Sequence, residues 1–426
     1  MTLQDREQSL MDCTRCSNCR WVPNMESGRF AQICPSIHYG KFHPYSGGGK
    51  LITGYALLHG SIGYDDALLD SVYACSGCGG CEVACNATYD DLIEPLEGIY
   101  ALRQKIVSDG RLPPALGRVL DNLRSVGSPA AGTSPDRGAW CSALDIPQGG
   151  REAPPEMLLL VGDAAFDPDL WPQLHWVVDV IKSAGADFAI AGSAEVDGGG
   201  LAFEIGDKAL AIDLAQRFAA MVEQSGARVL LTTDDALFAT LRAIFPRLGV
   251  QLSVSEVLHV SQWLARQADA LKWKPGSGTA TVTYHDTCRL GRLSEPVIPW
   301  SGEHEVVLGA LRVRTENVPT RFGNGGVYEE PRRLLAGAGA GIVEMPRNRE
   351  STFCCGLGAG AKAYSPEFAA SAARERLEEA CSTGAATLVT SCSGCAAHLQ
   401  EVAEAHSLPI TVKSLLAYLH DERMEG

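Results

Sequence analysis

The sequence predicts a multidomain chain of mixed α+β and α/β type. A helical N-terminal region comes first. Two copies of one α/β unit follow, the first without its cysteines. Three observations predict this. The cysteines fall in tight groups. Strand-like and helix-like stretches alternate twice after residue 156. The two alternating halves also align with each other at the loops that follow their strands.

The 426 residues suffice for two or three domains with sizeable cores. A hydrophobic fraction of 46% reads as globular rather than disordered. Lys+Arg total 36 and Asp+Glu 51, a formal net charge of −15, which argues against nucleic acid or an anionic membrane face as partner. No apolar run reaches the roughly 18 residues of a spanning helix. Met1-Thr2-Leu3-Gln4-Asp5-Arg6-Glu7 lacks the apolar core of a secretion signal. A cytoplasmic location is expected, with docking on a membrane subunit left open. Fifteen cysteines grouped in such a chain read as metal sites, with a disulfide scaffold as the alternative.

Residues 1–110 form the first expected domain and hold two motifs. One is Cys13-x2-Cys16-x2-Cys19 followed by Cys34-Pro35; the other is Cys75-x2-Cys78-x2-Cys81-x3-Cys85. Three cysteines at two-residue gaps let one loop wrap three corners of a cubane, and in two-cluster ferredoxins the fourth ligand comes from the other motif. That logic gives one [4Fe-4S] cluster to Cys13, Cys16, Cys19 and Cys85, and a second to Cys75, Cys78, Cys81 and Cys34. A zinc ribbon is the rival, but it uses pairs, and each group here has a third cysteine at the same step. The long Cys19–Cys34 gap leaves the exchange of fourth ligands open, and Asn86 stands where proline usually follows the last cysteine. Helical spacing covers Leu51 to Leu58 and Asp66 to Val72. Ser46-Gly47-Gly48-Gly49-Lys50 hints at a phosphate loop but lacks the Ser or Thr after lysine, so a plain turn is expected.

Residues 111–155 are rich in Pro, Gly and Ser and read as an irregular connector, with Trp140 and Cys141 as packing residues. The first α/β unit, 156–270, gives strands at Met157–Val161, Asp187–Ala191 and Arg228–Thr232. Its helices fall at Leu170–Ala184, Ala209–Gln224 and Ala236–Ala243. The second unit, 271–426, gives strands at Ala280–His285, Gly341–Met345 and Thr387–Thr390. Its helices fall at Tyr328–Gly337, Pro366–Ala380 and Cys395–Ala403. Alternation of this kind implies parallel, Rossmann-like sheets covered by helices. Residues 293–324 form an apparent insertion, with Pro296, Pro299-Trp300 and a valine-rich stretch, suited to shaping a pocket or binding a partner.

The second unit carries Cys288, the doublet Cys354-Cys355 and Cys392-x2-Cys395. Adjacent cysteines bridge each other badly and fit poorly on one tetrahedral zinc. One thiol, a doublet and a pair suit a soft, multi-iron centre. The aligned positions of the first unit are Asp163, Asp197, Gly198, Asp234 and Leu237, so no soft five-ligand set survives there. That unit is expected to be scaffold or docking surface, its aspartates solvated loop acids, with a hard-metal site as the alternative. Gly356-Leu-Gly358-Ala-Gly360 looks like a dinucleotide fingerprint, but the doublet before it favours a cluster loop with close backbone approach. Cys381 reads as a core thiol. His285 has two readings, a partner tuning Cys288 or a structural residue closing a strand, and His398 has the same two.

These motifs resemble the D-type subunit of heterodisulfide reductase and its bacterial relatives, the cysteine-rich CCG-domain iron–sulfur oxidoreductases. The resemblance covers nearly the whole chain. It is carried by Tyr284 to Arg292, Gly326 to Arg332, Arg347 to Glu350 and the run from Cys354 to Cys395. It implies a noncubane [4Fe-4S] cluster on Cys288, Cys354, Cys355, Cys392 and Cys395, acting on a disulfide. Two departures stand out: one five-cysteine site instead of two, and Thr287 where proline is usual. Sulfite-reductase-linked members and the corresponding subunit of class II benzoyl-CoA reductase complexes are closer in kind.

The resulting expectation is an oxidoreductase subunit. Electrons would pass from two N-terminal clusters to a C-terminal centre acting on a disulfide, a thiol or another redox partner. Partners would be a flavoprotein, another iron–sulfur subunit or a membrane cytochrome. The alternatives are a non-catalytic relay in a larger soluble complex, such as class II benzoyl-CoA reductase, and a zinc-stabilised interaction protein.

Overall fold

A computed structural model of the chain describes residues 2–89, 92–129, 136–146, 153–268, 271–274, 280–298, 302–308, 311–316 and 320–424. The N-terminal part is helical. Its helices are Glu7–Asp12, Pro35–Gly40, Gly47–Leu58, Asp66–Tyr73, Gly80–Tyr89, Pro95–Ser108 and Pro114–Val126. Asp65 caps its helix by accepting from the Leu68 amide at 2.7 Å.

Two expectations need correction here. Residues 114–126 are not irregular but a helix that ends at left-handed Gly127. Its apolar spacing buries Leu116, Val119, Leu120 and Leu123 against Phe203, Ile205 and Leu214 of the first α/β unit. The helix therefore fastens the N-terminal part to that unit. Likewise Ser46-Gly47-Gly48-Gly49-Lys50 is not a plain turn but a helix start, with the Ser46 hydroxyl accepting from the Gly49 amide at 3.0 Å. Gly127 and Pro113 sit at the two ends of the one helix, which is why composition alone reads that segment as coil.

Strands β1 (Met157–Leu160), β2 (Phe188–Ile190), β3 (Val229–Thr232) and β4 (Glu256–His259) form a parallel sheet in the order β2-β1-β3-β4. Strand β5 (Thr281–His285) opens the second unit. An antiparallel hairpin of β6 (His304–Val307) and β7 (Leu311–Arg314) lies inside the expected insertion. Then β8 (Gly341–Ile342), β9 (Thr387–Thr390) and β10 (Thr411–Ser414) complete a second parallel sheet, β8-β5-β9-β10. The two sheets share one topology, as the aligned halves predict. β1 is buried at every residue, the pattern of a strand covered on both faces. Residues of β1, β2, β5 and β9 contribute to one apolar core, so the units pack on each other.

The edge strands β4 and β10 escape the sequence reading, both being only four residues long and β4 without a buried alternation. β8 is shorter than expected because the chain leaves the sheet after Ile342 and Glu344 turns to pair with Arg332 at 2.6 Å. Pro299-Trp300 lies outside the described residues.

Candidate functional site

The structure brings the N-terminal cysteines into two neighbouring groups. Cys85 has Cys13, Cys16 and Cys19 as electrostatic neighbours. Cys34 has Cys75 and Cys78, and Cys81 has Cys34, Cys75, Cys19 and Cys78, so the two groups touch through Cys19 and Cys81. All are free thiols, and all but Cys16 and Cys75 are buried. Burial pushes Cys34 up to about 12 and holds Cys81 and Cys85 above the usual thiol range. Such thiols need a neighbouring cation to ionise, which is what a metal supplies.

The helix that starts at Gly47 wedges between the two groups. The Gly48 amide donates to Cys19 Sγ at 3.3 Å. A Cβ on Gly47 would come within 2.8 Å of Cys81 Cβ, and one on Gly48 within 3.3 Å of Cys13 Sγ. A side chain at Gly47 would collide with Cys81, and one at Gly48 would crowd the Cys13 sulfur. Lys50 is buried at the same place, donating to Ser36 Oγ at 3.0 Å and to the Tyr45 carbonyl. Asn86 spends its amide on the Arg321 carbonyl at 2.7 Å, tying the N-terminal part to the second unit.

Four of the five cysteines of the second unit lie on the loops that follow β5, β8 and β9, and Cys395 on the first turn of the helix after β9, at the carboxyl ends where α/β sheets present their chemistry. Cys288 and Cys354 have their sulfurs 3.9 Å apart, and Cys355 and Cys395 3.1 Å. The Gly356 amide donates to Cys354 Sγ at 3.4 Å. Cys392 starts the helix Ser393–Ala405, its sulfur accepting from the Cys395 amide at 3.3 Å. Four of these thiols are buried, and Cys392 is partly exposed beside Leu357 and Gly394. Cys381 is partly buried against the same core, and Cys141 packs with Trp140 at full burial; neither meets the five.

A ring nitrogen of His285 lies within 4.8 Å of the ligand atoms of Cys355 and Cys395. Arg376 Nε donates to His285 Nδ1 at 2.9 Å, which leaves the ring proton on Nε2. Burial, then the Arg376 charge, push His285 down to about 3, so the imidazole is neutral. Arg376 and Arg347 share Glu379 at 2.6 and 3.0 Å inside the protein. His398 instead pairs its Nε2 with the Ala369 carbonyl at 3.2 Å.

Sequence reasoning assigned no role to several residues that hold this site. Arg292 is buried, donates to the Cys78 carbonyl at 2.5 Å and to the Glu350 and Thr352 carbonyls at 2.8 Å, and keeps one nitrogen without a partner. Arg332 forks onto Asp286 at 2.7 and 2.9 Å. Arg289 pairs with Glu204 of the first unit. Asp235, also from the first unit, accepts from Ser391 at 2.6 Å and from Thr287, and lies 3.1 Å from His259. Thr287 and Ser391 directly precede Cys288 and Cys392. The stretches Tyr284 to Arg292 and Gly326 to Arg332, which carry the resemblance, contain Asp286, Thr287, Arg289, Arg292 and Arg332; nothing in the sequence pointed to Glu204, Asp235 or His259.

The N-terminal loop touches the doublet directly. Ser76 donates to Cys354 Sγ at 3.4 Å. Cys78 belongs to the same buried cluster as Cys288, Cys354, Cys355 and Cys395, and its contact with Cys354, then burial, raise its thiol well above the ordinary value. A Cβ on Gly358 would meet the Ser76 carbonyl at 2.8 Å, so this glycine of the fingerprint-like run serves the approach, while Gly356 packs on Ala369 and Ala372 and Gly360 on Leu116 and Ile205.

In the first unit, Asp234 caps the helix Asp235–Ala239 through the Ala236 amide at 2.7 Å, just as Cys392 starts its counterpart. Leu237 packs on Gly198, in the places of Cys395 and Cys355. Asp163, Asp197 and Asp234 are half-buried neighbours.

A family model for the CCG cysteine-rich domain matches residues 282–400. The chain is 28% identical over 343 residues to a probable membrane-anchored ferredoxin of Chromohalobacter salexigens, covering 79% of this chain but only 46% of that protein. It is 27% identical over 419 residues to the D-type subunit of dihydromethanophenazine:CoB–CoM heterodisulfide reductase of Methanosarcina barkeri, covering 95% of this chain and 91% of that one. Similarity to the EtfAB:quinone oxidoreductase of Syntrophomonas wolfei is 24% over 310 residues, 70% of this chain and 38% of that protein. A crystal structure of a hypothetical protein from Helicobacter pylori superposes with a TM-score of 0.52 at 11% identity, covering 90% of this chain and 69% of that one, a likeness of fold alone.

Proposed function

We propose that this chain, which carries a CCG cysteine-rich domain and is homologous to the D-type subunit of heterodisulfide reductase and related iron–sulfur oxidoreductases, is a redox subunit with three [4Fe-4S] sites. Cys13, Cys16, Cys19 and Cys85 would hold one cluster of a ferredoxin-like region, and Cys34, Cys75, Cys78 and Cys81 the other. Cys288, Cys354, Cys355, Cys392 and Cys395 would hold a noncubane third. Bound clusters would supply single-electron transfer at potentials set by hydrogen bonds and burial.

The observation that carries the reading is the contact of the Cys75–Cys78 loop with Cys354, which puts the N-terminal and C-terminal sites side by side. The residues do the positioning. Arg292 clamps the two loops through three carbonyls, and His285 presents a neutral ring beside Cys355 and Cys395. Partly exposed Cys392 marks the side from which a disulfide or other partner would approach.

Iron and sulfide analysis without oxygen tests this. Roughly twelve irons per chain are expected, and Cys354→Ala should remove about four. About eight irons, with a Cys354→Ala spectrum like the native one, would overturn the third site.

Burial of four of the five thiols favours a second reading, a relay that passes electrons to a flavin or another iron–sulfur subunit. Reduction of a disulfide by the purified chain with an artificial donor would exclude the pure relay. We place the chain in the cytoplasm, docked to other redox subunits. No helix among the described residues is long and apolar enough to cross a membrane.

A further inference from the structure

Residues 20–33, the unusually long segment between Cys19 and Cys34, fold as a bridged flap. Trp21 pairs with Gln32, the Val22 amide donates to the Ala31 carbonyl at 2.9 Å, and the Ile33 amide to the Arg20 carbonyl at 2.8 Å. Arg29 anchors the flap to the helix Pro366–Ser382, with Glu375 and Glu378 both at 2.8 Å. Between flap, helix Pro35–Gly40 and Glu375 lies a cleft of about 460 Å³, lined in part by Arg20, Trp21, Arg29, Gln32, His38 and Lys41.

The charges there do not balance. Glu375 is already shared by Arg29 and Arg347. Arg20 and Lys41 meet no carboxylate among the described residues. Arg20 stacks on the Trp21 ring at 4.4 Å, and its buried Nε has no acceptor. Burial holds His38 below its ordinary value, so it adds a hydrogen-bonding ring without charge. In a chain of net charge −15, two uncompensated cations facing one cavity are an unusual concentration. Leaving a guanidinium donor without a partner is costly, and its planar fork matches phosphate and carboxylate.

We propose that this cleft binds a small dianion, a phosphate monoester or a dicarboxylate, between Arg20 and Lys41, with Gln32 and Trp21 as its polar and flat walls. Two unpaired positive charges set the ligand's charge, and the cavity suits a molecule of metabolite size. Arg20 directly follows Cys19, and His38 lies one turn beyond Cys34. A bound dianion would therefore sit beside both N-terminal cysteine groups.

The test is calorimetric titration of the full chain, iron loaded and free of oxygen, at low ionic strength. Inorganic phosphate, succinate and acetate are the probes. One saturable site for phosphate or succinate is expected, with acetate at least about tenfold weaker, since it carries half the charge. The tighter of the two dianions names the source. Arg20→Gln and Lys41→Gln should each weaken that binding about tenfold or more, with iron content unchanged. Lys41 is exposed, so its variant tests the site without threatening the fold. Absence of saturable binding by either dianion, or native-like binding by both variants, would overturn the proposal. Iron content is read in the same samples, so a failure of the cluster assignment is seen separately.

Discussion

The Ser76 hydroxyl donates to Cys354 Sγ at 3.4 Å, joining residues 278 positions apart. A donor on sulfur stabilises the more negative, reduced state of a cluster more than the oxidised one. A hydrogen bond of about 1 kcal/mol, with 59 mV for each 1.4 kcal/mol in a one-electron couple, corresponds to roughly 40 mV. Ser76→Ala should lower the potential of the C-terminal site by about that amount and leave the Cys13–Cys85 site unchanged. A redox titration followed by electron paramagnetic resonance checks it.

Arg292 reaches the Cys78, Glu350 and Thr352 carbonyls from a buried position. Arg292→Gln leaves at least one of these carbonyls unsatisfied and loosens the seam between the two sites. Rapid-mixing reduction should show electron exchange between them slowed by tenfold or more. Arg292→Lys keeps the charge but not the fork, and should recover only part of the rate.

Asp235 is the first unit's contribution to the second unit's site. It holds the hydroxyls of Thr287 and Ser391 and faces His259. Asp235→Ala strands three buried groups, a loss of about 3 kcal/mol. The thermal midpoint of the loaded protein should fall by roughly 3–4 °C. Spectral change should be confined to the C-terminal site, because Thr287 and Ser391 precede only its cysteines. Loss of signal from the N-terminal sites would contradict this.

Asp163 gives a pH signature. Burial and the neighbouring Asp197 and Asp234 push it from 3.8 up to about 7. The folded state then binds more protons than the unfolded one across that window, so stability falls as pH rises from about 4 to 7. The side chain is 44% exposed, and screening keeps the effect modest. Asp163→Asn should flatten the decline, seen as a smaller drop in thermal midpoint between pH 5 and pH 8.

Much of this was legible in the chain. The cysteine spacings single out thirteen thiols, which the structure sets in neighbouring groups, and the aligned halves imply two sheets of one topology. The failures have physical causes. The helix Pro114–Val126 hides in a Pro- and Gly-rich segment because both residues mark its ends. Strand β4 lacks buried alternation, and β10 spans only four residues. Ser46–Lys50 reads as a turn until Gly47 and Gly48 are seen against Cys81 and Cys13.

By itself the sequence determined which cysteines are grouped, how each motif is spaced, and that only one of two repeated units carries the five thiols. Those are local properties, set within a few residues of one another. Only the tertiary structure decided that Ser76 meets Cys354, that Asp235 of the thiol-free unit holds the loops of Cys288 and Cys392, and that residues 20–33 enclose a cationic cleft. Such contacts depend on how whole buried surfaces pack, and no spacing along the chain encodes them.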